Sequence, residues 1–210
     1  MGRYSLSQGI KLTTGLIRSY IANRPQAVAY EVTLSCNCKC RHCDLGGLIK
    51  DEKQIQPEEY ADLTQRFKAL VAQITGGEAL LRTDIAAIVE AIKQGGARYI
   101  ILQTNGLLLN EGNYLQLRQE GVNQFSVSLD FPDERHDEFR RRPGLYRHLE
   151  RTLPSLSKLG FRNISLNTAI TRANINEILP LAEKAADRGV SISYSAYTEA
   201  RACEHRHNFG

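Results

Sequence analysis

The chain has 210 residues, of which 42% are hydrophobic and 24% charged, with a formal net charge of +4. That size suits one domain with ample core, and no run approaches the roughly 20 apolar residues of a membrane span. The basic residues are scattered and not striped, so no nucleic-acid partner is expected, and five clustered cysteines suit thiolate ligands in a reducing cytosol better than a disulfide framework.

Met1 to Gln8 lacks the apolar centre of a signal peptide. From Ile10 to Ile21 the residues Leu12, Leu16, Ile17, Tyr20 and Ile21 share one helical face. The segment reads as a lead-in helix packed on the body of the protein, with membrane-surface attachment as the other reading. From Val28 onward strand and helix alternate across short connections bearing Gly or Asn. The predicted strands are Ala29–Ser35, Val71–Thr75, Tyr99–Thr104, Gln124–Leu129, Ile164–Ile170 and Val190–Ala196. Pro57 opens a helix whose Tyr60, Leu63, Phe67 and Leu70 lie on one side. Thr83 is placed to cap a helix carrying Ile85, Ile88, Val89 and Ile92 inward, and Gly95-Gly96 stops it. Asn110 and Asn174 read as caps of later helices, which Gly121 and Gly189 end. Leu145 to Leu159 reads as a less regular helix because Pro154 falls inside it. Arg140-Arg141-Arg142 reads as a solvated run. Six βα repeats with right-handed crossovers predict an α/β fold, a partial (β/α)6 barrel of parallel strands.

Between the first strand and its helix stand Cys36, Cys40 and Cys43, spaced C-x-x-x-C-x-x-C. Three thiolates do not complete a tetrahedral structural zinc site, but they can bind three irons of a 4Fe–4S cluster and leave the fourth iron open. Gly76-Gly77-Glu78 follows the second strand and Thr104-Asn105-Gly106 ends the third. Ser126-Val127-Ser128-Leu129-Asp130 forms the fourth, and Asn167-Thr168-Ala169-Ile170 lies in the fifth. In this order and at these strand ends the chain resembles the radical S-adenosylmethionine (AdoMet) enzymes, from about Val28 to about Arg201.

The resemblance implies a 4Fe–4S cluster on Cys36, Cys40 and Cys43 and AdoMet bound at its open iron. It also implies reductive cleavage to a 5′-deoxyadenosyl radical that abstracts hydrogen from a peptide, a cofactor precursor or a lipid-like molecule. His42 stands where the family places an aromatic residue against adenine, and an imidazole can stack there or bond to the loop backbone. Gly76 and Gly77 permit close backbone approach to a ligand, and Glu78 or nearby carbonyls can accept from the AdoMet ammonium. Ser128 and Asp130 match contacts to ribose or carboxylate, with the acid better suited to ribose. Asn167 and Tyr194 match adenosine contacts, Asn105 points to the same mouth, and Arg140 can fork onto a carboxylate or remain a surface charge. Cys38 reads as a bystander thiol or a ligand in another register, and Cys203 with His205 and His207 as a tail without a metal role.

The implied partners are a small-molecule or peptide substrate and an electron donor such as flavodoxin or ferredoxin. The expected organisation is a lead-in helix over 1–27, a barrel core over 28–201 and a tail at 202–210 cut short before a C-terminal extension. The competing reading is a non-enzymatic iron–sulfur or zinc module for redox sensing or recruitment, which would bind metal without AdoMet.

Overall fold

The computed structural model describes residues 6–160 and 163–197. Helix α1 (Leu6–Ile21) precedes β1 (Ala27–Glu31). Then come α2 (Pro57–Phe67), β2 (Val71–Thr75), α3 (Ile85–Gln94), β3 (Tyr99–Thr104), α4 (Glu111–Glu120) and β4 (Gln124–Ser128). The second half runs α5 (Arg135–Arg140), α6 (Leu145–Lys158), β5 (Ile164–Ile170), α7 (Ile178–Asp187) and β6 (Ser191–Ala196). All six strands are parallel and stand in sequence order in one sheet, so each connection is a crossover covered by a helix. Among the described residues no helix is long and apolar enough to cross a membrane.

Side chains alternate across each strand, and the two faces of this sheet differ in chemistry. One face carries Ile74, Leu102, Phe125 and Ile164 in register from β2 to β5, all buried. Beside them Val127 pairs with Leu166. Each such side chain contributes about 1.5–3 kcal/mol when taken from water, and together with α3, α4 and α6 they form the core. The opposite face is polar: Gln103, Ser126, Ser165 and Ser191 lie in one register row, with Thr75 bonded to Gln103 at 2.8 Å. Ser128, Asn167 and Ser193 form the next row toward the strand ends. A polar inner face on a parallel sheet is a surface built for ligand, since packing would favour Val, Ile and Leu there.

The predicted elements recur with instructive differences. Strand β1 ends at Glu31 and not at Ser35, because the backbone beyond it is diverted. Val32 still donates to Thr75 O, but the carbonyls of Thr33 and Ser35 are taken by Gly77 and Glu78 in the turn after β2. Helix α6 is continuous through Pro154. An interior proline costs about 3 kcal/mol, and burial of Leu145, Tyr146, Leu149, Leu153 and Leu156 outweighs it. Asp84, not Thr83, is the N-cap of α3, whereas Asn110 caps α4 as expected, accepting from Asn113 N at 3.1 Å. Asn174 precedes a short 3₁₀ turn and does not cap by its side chain. Its Oδ1 accepts from Thr171 N and its Nδ2 donates to the carbonyls of Asp130 and Ala169, which ties the ends of β4 and β5 together. The run Arg140–Arg142 is not uniformly solvated, since Arg140 ends α5 and is buried while Arg141 and Arg142 are exposed. The tail with Cys203, His205 and His207 lies outside the described residues.

Candidate active site

The cysteine loop has little regular structure of its own and is held by contacts from three sides. Gly77 N donates to Thr33 O at 2.8 Å and Glu78 N to Ser35 O at 2.9 Å, fastening its lead-in to the turn after β2. Glu52 returns from the far side, accepting from Leu34 N and from the hydroxyls of Thr33 and Ser35. Burial opposes the charge on Glu52, but these donors outweigh it and lower its carboxyl to about 2. Cys36 N donates to Gly47 O at 2.9 Å, so the chain after Cys43 folds back against the loop. On the third side Lys39 N and Arg41 N donate to the carbonyls of Arg140 and Phe139 at the end of α5, at 3.3 and 2.9 Å.

Cys36, Cys40 and Cys43 line one cavity together with Cys38, His42, Gly76, Gly77, Asn105, Ser128 and Arg140. Thr75, Gln103 and Thr104 line it too, although no sequence motif singles them out as ligand contacts. Strand alternation is the signal that could have found Thr75 and Gln103, which share the inward face of β2 and β3. The cavity sits at the C-terminal strand ends, where parallel barrels carry their chemistry.

The donor set suits an iron–sulfur cluster. The Cys38 thiol, bonded to both neighbours, lowers Cys36 to about 7 and Cys40 to about 6, and the Arg140 guanidinium adds to the second effect. Burial pushes the Cys43 thiol up. Two thiols poised to ionise and a third in the same cavity fit a group that binds thiolates. Among the described residues no three Cys, His, Asp or Glu side chains gather to hold a single ion, and a cluster asks for one thiolate per iron. Cys38 is 1% exposed and lines the same cavity, its N–H donating to Cys36 Sγ at 3.4 Å.

Two predicted contact residues have other work. Glu78 is buried, and its carboxylate accepts from Thr104 Oγ1 and Asn105 N at 2.7 Å and from Leu80 N at 3.0 Å. It locks the turns after β2 and β3 and does not line the cavity. Asp130 is wholly enclosed and does not line the cavity. Its Oδ2 accepts from Arg140 Nε at 2.6 Å and its Oδ1 from Ala169 N at 3.1 Å. Burial works against its charge, but Arg140 prevails and holds Asp130 below the usual carboxylate range. His136 is also fully buried, its Nδ1 accepting from Asp130 N at 3.1 Å, and burial lowers it to about 4, so it is neutral at pH 7.

Arg140, the partner of Asp130, turns its Nη1 to Cys40 Sγ at 3.7 Å and reaches the cavity wall. Asn105 donates to Asn37 Oδ1 at 2.6 Å and lies 3.9 Å from Cys36 Sγ. His42 stacks on Phe139 with centroids 4.7 Å apart and planes 16° from parallel, while Tyr197 meets it edge-on. Asn167 and Tyr194 do not line the cavity: Asn167 sits one strand further along the polar face, and the Tyr194 hydroxyl donates to Ile178 O at 2.6 Å.

The chain is similar to known proteins in both sequence and fold. The chain is 33% identical over 159 residues to an AdoMet-dependent heme synthase of Oleidesulfovibrio alaskensis, covering 70% of this chain and 39% of that protein. It is 31% identical over 176 residues to a GTP 3′,8-cyclase of Limosilactobacillus fermentum, covering 80% and 52%. The chain thus spans about half the length of the curated relatives it matches. In fold it is similar to Streptococcus suis SuiB bound to S-adenosylmethionine, with a TM-score of 0.71 at 18% identity over 90% of this chain and 45% of that one. It is also similar to TYW1, with a TM-score of 0.63 at 17% identity, covering 90% and 74%. These likenesses identify the sheet as the partial (β/α) barrel the sequence predicts. Residues 30–192, well over half of the chain, match the family described as the Radical SAM superfamily, whose members use a 4Fe–4S cluster and AdoMet, and the chain belongs to that superfamily.

Proposed function

We propose that this chain is the core of a radical AdoMet enzyme that builds or modifies a polar cofactor precursor, with its cluster on Cys36, Cys40 and Cys43. The observation that carries the reading is the meeting of those three thiols with Gly76, Gly77, Ser128 and Arg140 around one cavity. When bound, the cluster and AdoMet supply one electron and a 5′-deoxyadenosyl radical able to take hydrogen from carbon.

The protein's own part is binding, orientation and exclusion of water. Because the Glu78 carboxylate is engaged by three donors, the strand-end carbonyls beside it are the acceptors left for the AdoMet ammonium. Arg140 and Ser128 are the groups for its carboxylate, and Asp130 holds Arg140 in place through the bond at Nε. Nη1 remains turned toward Cys40 and the cavity. His42 keeps one ring face on Phe139, which fixes the plane it offers to adenine. Asn167 and the backbone near Tyr194 extend the polar face toward adenosine.

The polar rows on the inner face of β3 to β6 favour a hydrogen-bonding substrate over a lipid-like one. Relatives named for heme synthesis and GTP cyclisation support a cofactor precursor ahead of a peptide.

The test is anaerobic reconstitution with iron and sulfide, reduction by dithionite with AdoMet, and chromatography for 5′-deoxyadenosine. The native chain yields it, and the triple Cys36→Ala/Cys40→Ala/Cys43→Ala variant yields none. A reduced cluster that neither binds nor cleaves AdoMet would sink the reading and leave the metal-module alternative. That alternative draws on one observation, the fourth thiol that Cys38 adds to the cavity.

A further inference from the structure

Helix α1 has two apolar faces. Leu12, Gly15 and Leu16 are partly covered and turn inward with the buried Ser19. A Cβ on Gly15 would meet Leu70 Cδ1 at 2.6 Å and Arg98 Nη1 at 3.5 Å, and Arg98 Nη1 donates to Lys11 O at 3.1 Å. Leu70 and Arg98 immediately precede β2 and β3. The helix therefore lies at the N-terminal ends of the strands, opposite the thiol cavity. The residues expected on one helical face divide: Leu12 and Leu16 are partly covered, while Ile17, Tyr20 and Ile21 face solvent.

The outward residues form a stripe of their own. Leu6, Tyr20 and Ile21 are 82%, 76% and 78% exposed, and Ile10 and Ile17 are 56% and 54%. At about 100° per residue these side chains share an arc of about 100°, the width of a face that packs on something. Charge on the helix has one sign. Lys11 and Arg18 stand about two turns apart on one flank of the stripe, both exposed, and among the described residues no ion pair engages either. Arg24 follows them, also exposed, and no Asp or Glu occurs in residues 1–30.

We propose that α1 seats the protein on the surface of an anionic lipid bilayer. The helix lies in the membrane plane, with its aliphatic stripe between headgroups and acyl chains and with Lys11 and Arg18 at lipid phosphates. Charge complementarity selects the anionic surface, since the helix offers cations and no acid. The stripe runs along one convex helix, which a fluid bilayer accepts without a matching groove, whereas a folded partner must supply one. Tyr20, with an apolar ring and a polar hydroxyl, suits the boundary between the two phases. Among the described residues no helix is long and apolar enough to cross a membrane, so α1 rests on the surface. Seated this way, the protein holds its thiol cavity at the far strand ends, turned to the aqueous phase. The inference is independent of the proposed cluster and AdoMet chemistry.

The test is co-sedimentation of the reconstituted protein with vesicles of phosphatidylcholine alone or of equal parts phosphatidylcholine and phosphatidylglycerol. The unmodified chain should partition at least tenfold more strongly onto the mixed vesicles, and added salt should weaken that binding. Ile17→Asp/Ile21→Asp should weaken it at least tenfold at low and high salt alike. Lys11→Glu/Arg18→Glu should erase the preference for phosphatidylglycerol. Ile175→Asp/Leu179→Asp places the same acids at the same spacing on exposed apolar positions at the start of α7. Arg141→Glu/Arg142→Glu changes net charge as the Lys11 pair does, at exposed sites after α5. Both contrasts should stay within about twofold of the unmodified chain.

Failure of the unmodified chain to bind either vesicle would overturn the proposal, as would equal binding to both. Equal losses in the α1 pairs and their contrasts would reduce the effect to net charge or general hydrophobicity and overturn it too. Analytical ultracentrifugation then identifies what covers the stripe instead. A dimer that Ile17→Asp/Ile21→Asp dissociates, with no vesicle binding, would give the face to a second copy of this chain. A monomer without vesicle binding would give it to a different protein segment.

Discussion

Replacing Gly77 with alanine tests whether the glycine pair serves the loop as well as the ligand. A Cβ at Gly77 would stand 2.2 Å from Ser35 O, 2.6 Å from Ser35 C and 2.7 Å from Leu34 O. Ordinary carbon–oxygen contact is about 3.3–3.6 Å, so the lead-in must retreat by roughly 1 Å. No side chain can give way, because the obstacle is backbone. The retreat strains the bonds from Gly77 N to Thr33 O and from Glu78 N to Ser35 O. Overpacking at 1–3 kcal/mol and two weakened hydrogen bonds near 1 kcal/mol each come to about 4 kcal/mol. For a chain of this size that lowers Tm by roughly 8–16 °C, and AdoMet affinity should fall with it as Cys36 moves. Differential scanning calorimetry and equilibrium dialysis with labelled AdoMet measure the two. Gly9→Ala is the contrast: nothing lies within 4 Å of its added Cβ inside α1, so it should stabilise by about 0.5–1 kcal/mol. A Gly77→Ala chain that melts within about 2 °C of the native one and binds AdoMet equally would refute the steric argument.

Asp130→Asn keeps an acceptor for Ala169 N but leaves the Arg140 charge unpaired in the interior, and should cost about 3–5 kcal/mol in urea unfolding. Adding Arg140→Met should recover part of that loss, and strict additivity would refute the pairing. His136 resists protonation down to about 4 while the unfolded chain takes up a proton near 6.5. Its contribution is therefore complete above pH 6.5 and declines as pH falls toward 4, by about 2 kcal/mol between pH 7 and 5; a His136→Phe chain with the same decline would refute this. Glu52 ionises near 2 when folded against an ordinary 4.5, so its stabilisation holds above pH 4.5 and fades as pH falls from there to 2. Glu52→Gln should abolish that part of the acid profile, followed by circular dichroism. Cys38→Ala should retain the iron and sulfide content of the native chain after reconstitution, whereas Cys36→Ala should lose most of it.

What is legible in the sequence is whatever rests on periodicity and short motifs. Strands β2, β3 and β5 fall where alternation predicts them, and the cysteine spacing with Gly-Gly-Glu leads to the family by itself. What is not legible is which carboxylates spend their charge on the protein itself. Glu78 and Asp130 occupy strand-end positions that suit ligand contact, yet both are consumed by donors distant in sequence: Thr104 and Asn105 for one, Arg140 and Ala169 for the other. Such pairings are long-range facts with no local signal. Arg140 shows the same limit from the opposite direction, since three consecutive arginines read as a solvated run while helix geometry turns the first inward and leaves the next two outside. The stop of β1 at Glu31 belongs here as well, because β-branched residues favour its continuation and only the glycines after β2 reveal that its carbonyls are claimed elsewhere.

These residues share a physical cause. A loop carrying several thiols cannot hold itself rigid: unbound thiols stabilise it little, and ionised ones repel. This chain fixes its loop from outside by acidic side chains that accept several donors each. Glu78 joins the turns after β2 and β3, Glu52 closes on the backbone and hydroxyls around Ser35, and Asp130 fixes the arginine that faces Cys40. Each acid accepts several donors, and at Glu52 and Asp130 the favourable partners outweigh desolvation, whereas burial leaves the Glu78 carboxyl raised. The arrangement keeps negative charge one layer behind the thiols and puts a cation, Arg140, beside them. Thiolates, and any further negative charge gathered with them, then meet a guanidinium in the wall instead of a carboxylate, and the acids that seemed destined for ligand hold the wall in place from behind.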